Sequence, residues 1–174
     1  PPYNYFYLNF ISFPFLLLFY LSSEIKKGFS SFLYGWIFGF AYFVSNIYWV
    51  ANSLTVEEIF KPLIPFAITI IPLFLGIFYG ISFLIFSYFK PKKKIGSIFL
   101  FALIFSFIEY LRGHIFGGFP WNLISFSLVE FNQFLQILSY VGTYSFNLIV
   151  VTIFLVPSVI LFDVTTKAKL LTVF

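Results

Sequence analysis

Five stretches of the chain, at about residues 5–21, 29–50, 63–89, 95–111 and 135–162, run almost without a charged side chain. Each is close to or longer than the ~20 residues that carry a helix across a hydrocarbon core at about 1.5 Å per residue. Water is therefore a poor solvent for most of the surface this chain can make. Charged residues make up 9% of it and apolar ones 61%, where an ordinary soluble domain carries roughly 25% charged residues. A bilayer accepts Phe, Leu and Ile facing outward, and a mean hydropathy of +1.01 fits that solvent. The runs do not alternate polar and apolar residues, so a membrane β-barrel fits badly. The expected fold is all-α, a polytopic helical membrane bundle of about five transmembrane helices. Pro14, Pro65, Pro72 and Pro157 lie inside the runs and favour kinks, because each removes a backbone donor. Residues 113–134 are apolar but broken by glycine and proline, and read as an interfacial or re-entrant segment.

Orientation follows from the cations, since Lys- and Arg-rich loops stay on the cytoplasmic side. Lys26 and Lys27 follow the first run, Lys90, Lys92, Lys93 and Lys94 the third, and Lys167 and Lys169 the fifth. Lys61 and Arg112 complete the Lys and Arg complement. An alternating path then places loops 22–28, 90–94 and 163–174 in the cytoplasm. The amino end and loops 51–62 and 112–134 fall on the far side. The chain opens on Pro1 without an initiator methionine and closes inside a new apolar stretch, so it is expected to be an interior piece of a longer membrane protein.

Several chemistries are disfavoured. There is no cysteine, hence no disulfide, thiolate metal site or cysteine nucleophile in this stretch. One histidine, His114, stands without a Ser or carboxylate at relay spacing and reads as a loop histidine satisfied by backbone or water. No cofactor and no metal are expected. Nucleic acid is not an expected partner either, because the basic residues form short clusters between apolar runs. The 30 Phe and 12 Tyr read as core and lipid contacts.

Two stretches stand apart from generic membrane helix. In the first, Gly35 and Gly39 share one helix face and permit close approach of another helix, Asn46 needs a partner for its amide, and Tyr48 and Trp49 fall at the far-side interface. Helix packing with an aromatic belt is one reading, and a binding role the other. In the second, Glu109 and Arg112 are one turn apart at the end of the fourth run, where pairing lowers the cost of charge near lipid. Gly117, Gly118 and Pro120 then stop the helix. Such a pair beside an aromatic turn suits a zwitterionic head group, with Arg112 on phosphate and Trp121 at the glycerol level. A purely structural snorkelling pair is the alternative.

These blocks resemble the apolipoprotein N-acyltransferases, inner-membrane enzymes that add the third acyl chain to bacterial lipoproteins. Gly35, Trp36, Phe38, Gly39, Phe43, Tyr48, Trp49 and Ser53 match one family pattern. Glu109, Leu111, Arg112, Gly113, Gly118, Phe119, Pro120 and Trp121 match Glu-x-Leu-Arg-Gly followed by Gly-Phe-Pro-Trp. The resemblance covers nearly the whole chain. It implies a membrane bundle carrying a nitrilase-like domain, whose cysteine takes an acyl chain from a phospholipid as a thioester and passes it to a lipoprotein's terminal amine. On that pattern residues 1–174 are the transmembrane domain, truncated before the nitrilase-like domain, without its first helix and inactive alone, and no catalytic residue carries over. The implied partners are membrane phospholipid, the lipoprotein substrate of the intact enzyme and a separately encoded nitrilase-like domain. Trp121, Arg112, Glu109, Phe119, Pro120, Tyr48 and Trp49 are the candidate lipid-facing residues. A non-catalytic scaffold or lipid-binding module is the other function class.

Overall fold

A computed structural model describes residues 6–47, 52, 54–91, 93–115 and 122–161. Among these the regular elements are all helical. The main ones are α1 (Asn9–Ser22), α2 (Phe29–Ile47), α3 (Ile64–Phe89), α4 (Lys94–Arg112), α5 (Asn132–Val141) and α6 (Thr143–Leu155). Short 3-10 turns at Phe6–Leu8, Glu58–Leu63 and Ile124–Leu128 lead into or between them. The all-α membrane bundle expected from the sequence is the fold observed. Among the described residues, three helical stretches are long and apolar enough to cross a membrane: Glu58–Phe89, Lys94–Arg112 and Thr143–Leu161. Phe6–Ser22 is apolar but shorter. With 19 residues, α2 has the length, but Ser, Gly, Tyr and Asn dilute its hydropathy.

The outward faces show why lipid suits this chain. On α4, Phe99, Leu103 and Phe107 recur every fourth residue and are each more than half exposed. The opposite stripe, Ile98, Phe101, Ala102, Phe105 and Ile108, is buried. A helix that is apolar on both faces is stable only where its outer face meets hydrocarbon.

The described residues fall into two compact units, one within Lys26–Phe89 and Phe107–Asn122, the other within Tyr5–Ile25, Lys90–Ser106 and Leu123–Phe174. In the first, α2 packs along α3 through four glycines. A Cβ built on Gly35 would stand 2.5 Å from the Tyr79 carbonyl oxygen, and one on Gly39 2.9 Å from the Gly76 Cα. From the other side, a Cβ on Gly76 would meet the Phe40 nitrogen at 3.0 Å and one on Gly80 the Phe32 carbonyl oxygen at 3.0 Å. Each helix thus offers a Gly-x-x-x-Gly face to the other. Backbones close in this way gain dispersion contacts that longer side chains would prevent. The Trp36 indole N–H donates to the Leu73 carbonyl at 3.0 Å across the same seam, next to buried Pro72.

In the second unit, Phe13 of α1 meets Phe105 of α4 edge-on at 5.7 Å, and Phe10 meets Phe154 of α6 at 4.7 Å. Buried Asn147 of α6 accepts a hydrogen bond from the Ser125 backbone N–H at 3.0 Å, which fastens the Ile124–Leu128 turn to the helix. The long apolar run 135–162 is not one straight element. Gly142, at φ +78°, separates α5 from the membrane-length stretch Thr143–Leu161. Only a residue without a Cβ takes that backbone conformation at no steric cost.

Candidate functional site

Three helical segments of the first unit, α2, α3 and the last turns of α4, converge on Glu109 and Arg112. The buried stripe of α4 carries both side chains inward at its last turn, and each is 1% exposed. Arg112 Nε donates to Glu109 Oε1 at 3.2 Å and Nη2 to Oε2 at 2.8 Å, so the guanidinium holds the carboxylate by two parallel bonds. That fork geometry is the strongest arrangement available to the two groups. Phe43 of α2 lies under the guanidinium, its ring centroid 5.3 Å from Cζ. A desolvated cation over an aromatic face gains about 2 kcal/mol.

The floor of the site is aromatic. Tyr79 of α3 sits 5.0 Å from Phe43, 5.7 Å from Tyr42 and 6.0 Å from Phe38, ring centre to ring centre. Tyr79 and Tyr42 are within electrostatic range of both charges. The glycine seam sets this placement. With Gly35 and Gly39 against Gly76 and Gly80, α3 comes near enough for Tyr79 to reach the α2 aromatics. The pair is neutral as a unit and fully enclosed, which is how a bilayer-depth protein tolerates an arginine and a glutamate.

Of the residues singled out from the sequence, Glu109, Arg112, Gly35 and Gly39 all belong to this one unit. Tyr48, Trp49, Phe119, Pro120 and Trp121 lie outside the described residues. Asn46 satisfies its amide within its own helix, donating to the Tyr42 carbonyl at 2.8 Å. His114 sets Nδ1 2.8 Å from the Tyr110 carbonyl, and its ring rests 4.2 Å from the Tyr110 ring. Its Nδ1 is thereby engaged with backbone. The sequence reading passed over Tyr79, Gly76 and Gly80. The glycines carried a signal, since they repeat the four-residue spacing of Gly35 and Gly39.

The sequence model of the apolipoprotein N-acyltransferase N-terminal domain matches residues 1–156, which include both motif blocks and every helix of the site. The chain belongs to the apolipoprotein N-acyltransferase family. It is 31% identical to an apolipoprotein N-acyltransferase of Brucella melitensis over 92% of its own length and 31% of the relative's. To the Sinorhizobium medicae enzyme of that name it is 34% identical, over 92% of this chain and 32% of the other. The chain therefore spans about a third of the length of these acyltransferase relatives. Within the family's N-terminal domain, the paired charges of Glu-x-Leu-Arg-Gly are here an enclosed cluster rather than an open one.

Proposed function

We propose that residues 1–174 form the membrane-embedded portion of an apolipoprotein N-acyltransferase, which transfers an acyl chain from a phospholipid to a lipoprotein amine during lipoprotein maturation. The family match over residues 1–156 carries this reading. The arrangement around Glu109 and Arg112 supports it by giving that motif a definite task. The enclosed pair holds the end of α4 against Phe43, and the chain leaving that end carries Phe119, Pro120 and Trp121. In this reading these three, with Tyr48 and Trp49, are the lipid-contacting residues of the intact enzyme, and Glu109 and Arg112 serve that role by fixing the end of α4. The protein sits in the inner membrane as a multi-pass bundle of about five spans, with loops 22–28, 90–94 and 163–174 cytoplasmic and loops 51–62 and 112–134 periplasmic.

This stretch of sequence has no cysteine, so by the thioester route it cannot turn over by itself. In this reading a nitrilase-like domain, whether in the same polypeptide or a separate one, completes it. The second reading is a non-catalytic scaffold or lipid-binding module. Complementation of acyltransferase-depleted cells separates the two. The chain alone is expected to fail and the chain with a separately expressed nitrilase-like domain to restore growth. Failure of both, with the chain shown to be inserted in the membrane, leaves the scaffold reading, whereas rescue by the chain alone removes the claim that it is inactive.

A further inference from the structure

Helix α5 is built differently from the other helices. No residue of Asn132–Val141 is buried, and none is charged. At roughly 100° per residue, Phe134, Leu135, Ile137, Leu138 and Val141 fall within about 160° of one another, while Asn132, Gln133, Gln136, Ser139 and Tyr140 share the opposite side. Leu135, Ile137 and Val141 are 41%, 40% and 38% exposed, and the polar-side Tyr140 is 89% exposed. Residues 1–174 thus leave much of the apolar face open.

What covers it follows from where the helix is attached. Gly142 turns the chain at φ +78° directly into Thr143–Leu161, a stretch long and apolar enough to cross a membrane. One end of α5 is therefore fixed within a residue of the bilayer boundary. Phe134 packs on buried Phe146 of that stretch, ring centroids 6.1 Å apart, and Ile149 and Ile153 farther along it are 43% and 45% exposed, so α5 is held to a helix whose outer face is apolar and open. With ten residues α5 is about 15 Å long, too short to span hydrocarbon. A neutral helix, half apolar and half amide and hydroxyl, matches the head-group boundary, where its polar side stays wet.

We propose that α5 is an interfacial helix that lies along the bilayer surface, with Leu135, Ile137 and Val141 in the upper acyl region and Gln133, Gln136 and Tyr140 among the head groups and water. The occupant of its open face is lipid. The inference rests on the membrane fold and not on acyl transfer, and its test is independent of turnover.

Because the chain has no cysteine, single introduced thiols report their own positions. Leu135→Cys, Ile137→Cys, Gln133→Cys, Gln136→Cys and Tyr140→Cys are labelled with an environment-sensitive fluorophore. The chain is then reconstituted in phosphatidylcholine vesicles and quenched with spin-labelled lipid or aqueous iodide. The expected result is helical periodicity, with labels at 135 and 137 roughly 5–10 Å below the head groups, shielded from iodide, and labels at 133, 136 and 140 open to it. Equal iodide access at all five sites overturns the proposal. So does shielding of 135 and 137 from both quenchers, which would mean that a second copy or another protein covers the face. All five side chains are exposed, so replacing them removes little packing. An Ile137→Glu substitution gives a second check, since it is expected to lift the Leu135→Cys label toward iodide, and an unchanged depth would also overturn the proposal.

Discussion

Gly39 and Gly76 pass so closely that a Cβ added to Gly39 would lie 2.9 Å from the Gly76 Cα, with backbone and not a movable side chain in its way. The first added carbon at this crossing must push α2 and α3 apart. Gly39→Ala is expected to destabilise the chain by about 1–3 kcal/mol, as overpacking of a tight core does. Ile37→Ala, at a position 56% exposed on the same helix, is the control and is expected to change little. Unfolding titrations of both variants in mixed detergent micelles check the difference.

The Glu109–Arg112 pair predicts strong non-additivity. Either Glu109→Gln or Arg112→Met alone leaves a buried group without its two-bonded partner, and removal of one member of a buried pair costs about 3–5 kcal/mol. The double variant removes both charges and is expected to recover most of that loss. A double-mutant cycle on the same unfolding titration measures the coupling, and additive single and double effects would reduce the pair to two independent contacts.

The division between what was legible in the chain and what was not has a physical basis. Membrane-length runs are legible because lipid sets a fixed length for them, and Glu109 and Arg112 are legible because charges one turn apart on one helix have few other options. Gly35 and Gly39 announce a close helix contact, but Gly76 and Gly80, at the same spacing, lie in a run where Pro65 and Pro72 are the stronger local signal. Nothing local marks Tyr79. Which of 12 tyrosines faces the charge pair is decided by the register of α2 on α3, a tertiary quantity. The break at Gly142 was masked because the polar side of α5 is made of uncharged Asn, Gln and Ser, so a reading keyed to charge runs straight through it.

Asn147 should prove structural in a specific way. Its carboxamide oxygen accepts the Ser125 backbone N–H at 3.0 Å where both residues are buried, so Asn147→Leu leaves that N–H without an acceptor. The expected loss is about 1–3 kcal/mol. It should appear as faster amide hydrogen exchange within Ile124–Leu128, with exchange in α2 and α3 unchanged. Uniform acceleration throughout the chain would mean that the bond supports the whole fold and not this turn alone.

Orientation gives the last prediction. The two cations assigned to the far side are both held in ion pairs, Lys61 with exposed Glu58 and Arg112 with Glu109, and Arg112 is enclosed as well. On the proposed orientation, the lysines at 26–27, 90–94 and 167–169 therefore set the topology almost unopposed. A lysine beside an anionic leaflet gains about 1 kcal/mol, so changing Lys90, Lys92, Lys93 and Lys94 together to Gln removes the largest single contribution. Reporter fusions to the wild-type chain are expected to place the turn at 90–94 in the cytoplasm and the loop at 51–62 outside it. In the Gln variant a measurable fraction should invert, because only the lysines at 26–27 and 167–169 still oppose export of that face. A fully retained orientation in the variant would shift the topological signal to the first loop, and an external 90–94 turn in the wild type would reverse the assignment of every loop.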